Sequence, residues 1–150
     1  AYLWIAGDGP LLDQLVQVAE RVGVKSRVRF LNWQDDSAAL LSTADLFVCP
    51  SRHEPLGNVV IEAWAHNIPV VAANSFGPGK LITHLETGVL VPIDDSAMLA
   101  MGIKSVLGDP SLASRMIEQG REEYETNFTE DIVVDQYLEF FEKVTKPCVV

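Results

Sequence analysis

The chain has 150 residues, 48% of them hydrophobic, which suits one globular domain with a core of its own. Its net charge of −10 argues against non-specific attraction to nucleic acid or to an anionic membrane face, while leaving room for a local phosphate pocket. Its uninterrupted apolar runs are too short to cross a bilayer.

In chain order, short apolar runs alternate with helical periodicity. YLWIA (2–6) reads as a strand, followed by the turn GDGP (7–10) and a helix over 11–22. Leu11, Leu15, Val18, Ala19 and Val22 give that helix an apolar face; Pro10 suits its first position and Gly23 its exit. RVRFL (27–31), DLFVC (45–49), PVVAA (69–73) and GVLVP (88–92) are further strands, with helices over 37–44, 58–66 and 80–87 between them. Helices over 96–108, 111–126 and 130–144 follow, separated at Pro110 and at the break 127–129. The strands are continuously apolar, as buried parallel strands are. The pattern predicts an α/β fold with a doubly wound, mostly parallel, Rossmann-like sheet over residues 1–145 and a helical C-terminus. Residues 146–150 form a tail. The chain opens on Ala1 and almost at once on a strand, so it reads as an excerpt of a longer polypeptide.

Cys49 and Cys148 show no motif spacing and read as reduced thiols of a cytoplasmic protein; His53, His66 and His84 do not cluster with them, so no metal site is expected. Asp35-Asp36 and Asp94-Asp95 read as helix caps, and His66 and His84 as ordinary helix residues. Trp33 suits core packing or a nucleobase. Tyr124, Phe128, Tyr137, Phe140 and Phe141 read as a docking surface for another part of the structure.

The most telling run is EPLGNVVIE, with Glu54 and Glu62 eight positions apart. Pro55 and Gly57 keep Glu54 in the loop ahead of a helix that Asn58 caps, with Glu62 about one turn inside. A helix N-terminus favours an anion, and two acids beside it suit hydroxyl groups, so the site fits a ligand with both parts, such as a nucleotide sugar. This reading needs both carboxylates at one cavity. Arg52 and His53 add a cation and a neutral-pH donor, and His53 is a candidate substrate contact or proton shuttle. SFGPGK (75–80) is a second glycine-rich loop whose amides and Lys80 suit a phosphate, or it is a plain turn. GDGP lacks the third glycine of a dinucleotide fingerprint, Leu12 standing there, and reads first as a tight turn.

Taken together, IAGDGP, RVRFLNW, ADLFVCPSRHEPLGNVVIEAWAHNIPVVAA, FGPGKLI and TGVLVPIDD resemble the carboxyl-terminal, donor-binding domain of retaining glycosyltransferases of the GT-B fold. The bacterial cell-surface polysaccharide and lipopolysaccharide sugar transferases are the most similar family, matched in order from Tyr2 to about Lys143. The resemblance implies transfer of a glycosyl group from a nucleoside diphosphate sugar to an acceptor hydroxyl with retention. Under it Glu54 addresses the donor sugar at the reacting centre and Glu62 holds the ribose hydroxyls. The backbone of Leu56, Gly57 and Asn58 faces sugar and diphosphate, Gly7 and Gly9 form the cleft floor, and Leu31, Asn32 and Trp33 edge the base. Lys80 stands where the family commonly has a glutamate.

No cofactor beyond the donor is implied, and no nucleic acid. The acceptor, a glycan or lipid-linked, belongs to an N-terminal domain expected upstream of Ala1, through which alone membrane contact is expected. That segment also carries the first, central strand of the order 3-2-1-4-5-6. The fragment by itself is therefore expected to be inactive, and poorly soluble or partly ordered unless the gap is closed. Three alternatives stay open: a glycosidase using the two acids, a nucleotide-sugar epimerase of GT-B architecture, and a non-catalytic nucleotide-sugar module.

Overall fold

A computed structural model describes residues 1–145; the predicted tail with Cys148 lies outside the described residues. The chain divides into two units, Ala1–Ala39 and a second from Leu40 onward.

In the first unit β1 (Leu3–Ala6) pairs in parallel with β2 (Val28–Asn32), Leu3 opposite Val28 and Ile5 opposite Phe30, with a register shift before Ala6 meets Asn32. α1 (Leu12–Arg21) and a 3₁₀ turn at Lys25–Arg27 connect them. Pro10 is not the first helical residue: it stays in the turn, Leu11 is the N-cap, and the Leu12 N–H donates to Gly9 O at 3.2 Å. The apolar face read from the sequence is covered only at Ala19. Leu11, Leu15, Val18 and Val22 are exposed, because Leu12, Val16 and Ala19, spaced as one helical stripe, take the inward side. β1 also departs from the expectation of burial: Leu3 and Trp4 are about half exposed, and neither core cluster includes a β1 side chain.

The second unit holds a parallel sheet in the order β3 (Phe47–Cys49), β4 (Val70–Ala73), β5 (Val89–Val91). The described strands thus form two separate parallel sheets, β1–β2 in the first unit and β3–β4–β5 in the second. β4 is apolar at every position because both its faces are covered. Val70 and Ala72 join Val60, Ala63 and Trp64 of α3 (Asn58–Ala65) in one cluster. Val71 joins Val89 and Val91 with Val106 of α5 (Ser96–Gly108) and Met116 of α6 (Pro110–Asn127) in the other. Trp64 is 1% exposed, and its indole N–H is satisfied by Thr87 O at 2.9 Å.

Several ends are set by caps. Asp36 Oδ1 accepts from the Ala39 N–H at 2.9 Å over α2 (Ser37–Leu41), which stops short of the predicted residue 44. Asp95 Oδ1 accepts from Met98 N–H at 2.9 Å over α5. Pro110 opens α6 instead of breaking the chain before it, with Asp109 as cap. The helix expected over 80–87 is replaced by a four-residue α4 (Pro78–Leu81). Ile82 is already extended, Leu85 has φ +67°, and the Thr87 hydroxyl accepts from the Thr83 N–H at 2.9 Å, which closes a turn. His84 is accordingly not a helix residue; its Nδ1 accepts from the Leu90 N–H at 3.1 Å. Tyr124 and Phe128 pack on the Trp64 cluster and leave the proposed docking surface, whereas Tyr137, Phe140 and Phe141 of α7 (Glu130–Thr145) stay exposed. No helix among the described residues is long and apolar enough to cross a membrane.

Candidate functional site

After β3 the chain runs through residues 50–56 into α3. The N-cap is Gly57, with φ +84°, and not Asn58, which is the first helical residue. A left-handed cap favours glycine over any residue with a Cβ. The Gly57 N–H donates to Glu54 Oε1 at 3.1 Å, so the carboxylate folds back on its own loop and closes the entry to the helix. Gly57 O accepts from Val60 at 2.8 Å and Ile61 at 3.3 Å. The N–H groups of Asn58 and Val59 have no acceptor among the described residues, so the positive end of α3 is open to an anion.

SFGPGK braces this loop. The Gly77 N–H donates to Glu54 O at 2.6 Å, and a Cβ at Gly77 would fall 2.5 Å from Gly57 N and 2.6 Å from the Leu56 carbonyl carbon. Glycine is required there by contact between two backbones. Of its N–H groups, those of Gly77, Gly79, Lys80 and Leu81 donate to backbone carbonyls, and Lys80 Nζ lies 5.9 Å from the Phe76 ring centre.

A cavity of about 450 Å³ opens beyond the carboxyl ends of the strands, lined by residues 52–55, 74–76 and Ile93. Glu54 and His53 stand in its wall. Glu62 does not. It is exposed on α3, one helical turn on from exposed Asn58, so the two share a stripe that leads away from the helix N-terminus. The sequence reading required both carboxylates at one cavity, and this cavity does not meet that requirement, since Glu54 lines it and Glu62 does not. Leu56 is exposed at the loop crest, 69% accessible. Arg52, in the cavity wall, donates from Nε to Asp94 Oδ1 at 2.5 Å, and Asp94 has φ +63°. That hydrogen bond, and secondly the charge of Asp94, raises the pKa of the guanidinium above its usual value. Asn74, Ser75, Phe76 and Ile93 were not picked from the sequence as cavity residues. The strand-end rule pointed to their loops, and an aromatic inside a glycine-rich run was the available signal.

In the first unit the turn residues meet the second strand. Gly7, at φ +127°, donates its N–H to Asn32 O at 2.7 Å, and Asn32 itself has φ +56°. The Gly9 N–H is taken by Asp8 Oδ1 at 2.7 Å. Trp33 is 72% exposed, its indole N–H on Asp35 Oδ1 at 2.8 Å, so the core-packing alternative is excluded.

Residues 1–123 match the family described as glycosyl transferases group 1. The chain belongs to this family. It is 42% identical over 138 residues to the lipopolysaccharide core biosynthesis glycosyltransferase LpsE of Rhizobium meliloti, and 39% identical over 142 residues to LpsD of the same organism. These matches cover 92% and 95% of this chain but 41% of each relative, so the chain spans about two fifths of their length. Among solved structures, Anabaena HepE in complex with UDP superimposes with a TM-score of 0.90 at 26% identity, over 95% of this chain and 41% of HepE. The parallel sheets and flanking helices of this group 1 chain are those of GT-B glycosyltransferases.

Proposed function

We propose that this chain is the donor-binding, carboxyl-terminal part of a retaining glycosyltransferase. It moves a glycosyl group from a nucleoside diphosphate sugar to an acceptor hydroxyl during cell-surface glycan synthesis in the cytoplasm. The observation that carries the reading is the α3 N-terminus, whose free Asn58 and Val59 amides lie next to a cavity walled by Glu54. The barrier to glycosyl transfer lies in positive charge developing on the sugar and negative charge on the departing diphosphate. Fixed amides at a helix N-terminus stabilise the second, and a carboxylate beside the sugar orients the first. The sequence resemblance, together with the exposure of Glu62 on α3, supports Glu62 as the contact to the ribose hydroxyls of a nucleotide whose diphosphate rests on the amides. The assignment of Gly7, Gly9 and Asn32 to the nucleotide is supported by the sequence resemblance. HepE has been seen with UDP and with UDP-glucose, which supports a nucleotide-sugar donor, and the lipopolysaccharide role named for LpsE and LpsD supports a surface glycan.

In the full-length protein, tested against a panel of nucleotide sugars, Glu54→Ala is expected to lower transfer by ~10²–10³ or more. Glu62→Ala is expected chiefly to weaken nucleotide binding, read by calorimetric titration. Wild-type behaviour of both variants removes the assignment, and an inverted anomeric centre in the product, read by NMR, removes retention.

A further inference from the structure

The loop that carries Glu54 is held from two other loops. One hold is a backbone bond, from the Gly77 N–H of the loop after β4 to Glu54 O at 2.6 Å. The other is ionic, from Arg52 Nε to Asp94 Oδ1 of the loop after β5 at 2.5 Å. β3 and β5 lie on opposite sides of β4 and are not hydrogen-bonded to each other. The Arg52–Asp94 pair therefore ties together the loops of two strands that the sheet itself keeps apart.

The two ends of this tie differ in firmness. Val91, 3% exposed, anchors the strand before Asp94, and Asp95 after it caps α5 through the Met98 N–H at 2.9 Å. Asp95 does the capping expected of both aspartates, which leaves Asp94 for Arg52. Asp94 sits at φ +63°, a conformation that Asp and Asn adopt more readily than most residues. Arg52 and His53 are exposed, and Glu54 follows them directly. With side chains 70% and 59% exposed, the pair adds little to the stability of the fold, so its effect is local to the loop it holds. The free α3 amides stand on firmer ground, on a helix whose Val60, Ala63 and Trp64 are buried to within 1%. Loss of the pair is thus expected to loosen Glu54 and to leave those amides in place.

We propose that Asp94 is a positioning residue for transfer: it holds Arg52, and through Arg52 the loop that sets the Glu54 carboxylate. The proposal rests on the transfer reading above and adds to it a residue that touches neither donor nor acceptor. Asp94 acts on the rate of the step in which Glu54 orients the sugar, not on the binding of the nucleotide.

The test uses the full-length protein with Asp94→Asn, Arg52→Gln and the two combined; Asn suits the backbone at position 94 and removes only the charge. Each single variant is expected to lower kcat about threefold to fivefold, the bias that an exposed ion pair supplies, with nucleoside diphosphate affinity unchanged. The double variant is expected to match the singles, because the pair acts as one unit. Rising salt screens such a pair, so wild-type kcat is expected to fall toward that of Asp94→Asn, whose own kcat stays level. A second readout needs no substrate: the Gly57 amide, bonded to Glu54 Oε1, is expected to exchange about threefold to fivefold faster in Asp94→Asn. Unchanged kcat or unchanged Gly57 exchange in Asp94→Asn overturns the proposal. A much larger loss in Arg52→Gln than in Asp94→Asn also overturns it, by showing that Arg52 meets the substrate itself. A wild-type protein that transfers from no nucleotide sugar defeats the transfer reading and the role in transfer with it, and the exchange measurement still decides whether Asp94 holds the Glu54 loop.

Discussion

β4 is buried along its whole length, no residue exceeding 3% exposure, whereas β1, also four residues and wholly apolar, leaves Leu3 at 50% and Trp4 at 48%. The two segments look alike in sequence: short, continuous, followed by a turn into a helix. Their surroundings differ. β4 has a hydrogen-bonded strand on each side and helices on both faces, while β1 pairs with β2 alone among the described residues. Continuous apolarity therefore marks a strand able to be buried on both faces, and the elements packed on those faces decide whether it is: β5, with β4 as its one partner strand among the described residues, still buries Val89 and Val91 in the cluster with Val106 and Met116. The same contrast holds for the loops that follow these strands. The turn after β1 is tied to Asn32 by one backbone bond, whereas the loop after β4 is fastened to the Glu54 loop and holds it in place.

The sharpest way to break this contrast is at Trp64. Trp64→Ala is expected to destabilise this chain by about 3–5 kcal/mol in denaturant unfolding, the usual cost of emptying a large aromatic site in a core. Gly77→Ala comes next, at about 1–3 kcal/mol, because the added methyl meets backbone that cannot swing aside. In the full-length protein it is also expected to lower transfer, by moving Glu54. Trp4→Ala is expected to cost about 1 kcal/mol or less in this chain, in keeping with a half-exposed site. A loss at Trp4 equal to that at Trp64 would show that β1 is buried in solution and abolish the comparison. Hydrogen exchange sharpens it further: β4 amides are expected to exchange last and β1 amides well before them.

Much of the fold could be read from periodicity. All five strands and the three C-terminal helices lie within a few residues of their predicted places, because a strand covered on both faces and an amphipathic helix each demand a local pattern. The misreadings share a cause. The helix expected over 80–87 had the composition for one, but the bond from the Thr83 N–H to the Thr87 hydroxyl and the left-handed Leu85 stabilise a turn that no apolar spacing announces. On α1 the pattern contained two apolar stripes, and packing in the first unit used the one that was not chosen.

The site divides along the same line. Sequence by itself determined that Glu54 precedes a helix, that glycine stands where the chain must turn left-handed at Gly57, and that the loop lies at the carboxyl end of a strand. These are properties of neighbours along the chain. Tertiary structure alone decided that Gly77 presses on that loop from 20 residues away, that Ser75 is buried without a partner, and that Glu62 lies outside the cavity that Glu54 lines. The register of β3 against β4 brings the two loops together, and the direction of a side chain on α3 follows from which of its faces the core has taken. Neither is set by residues close in sequence.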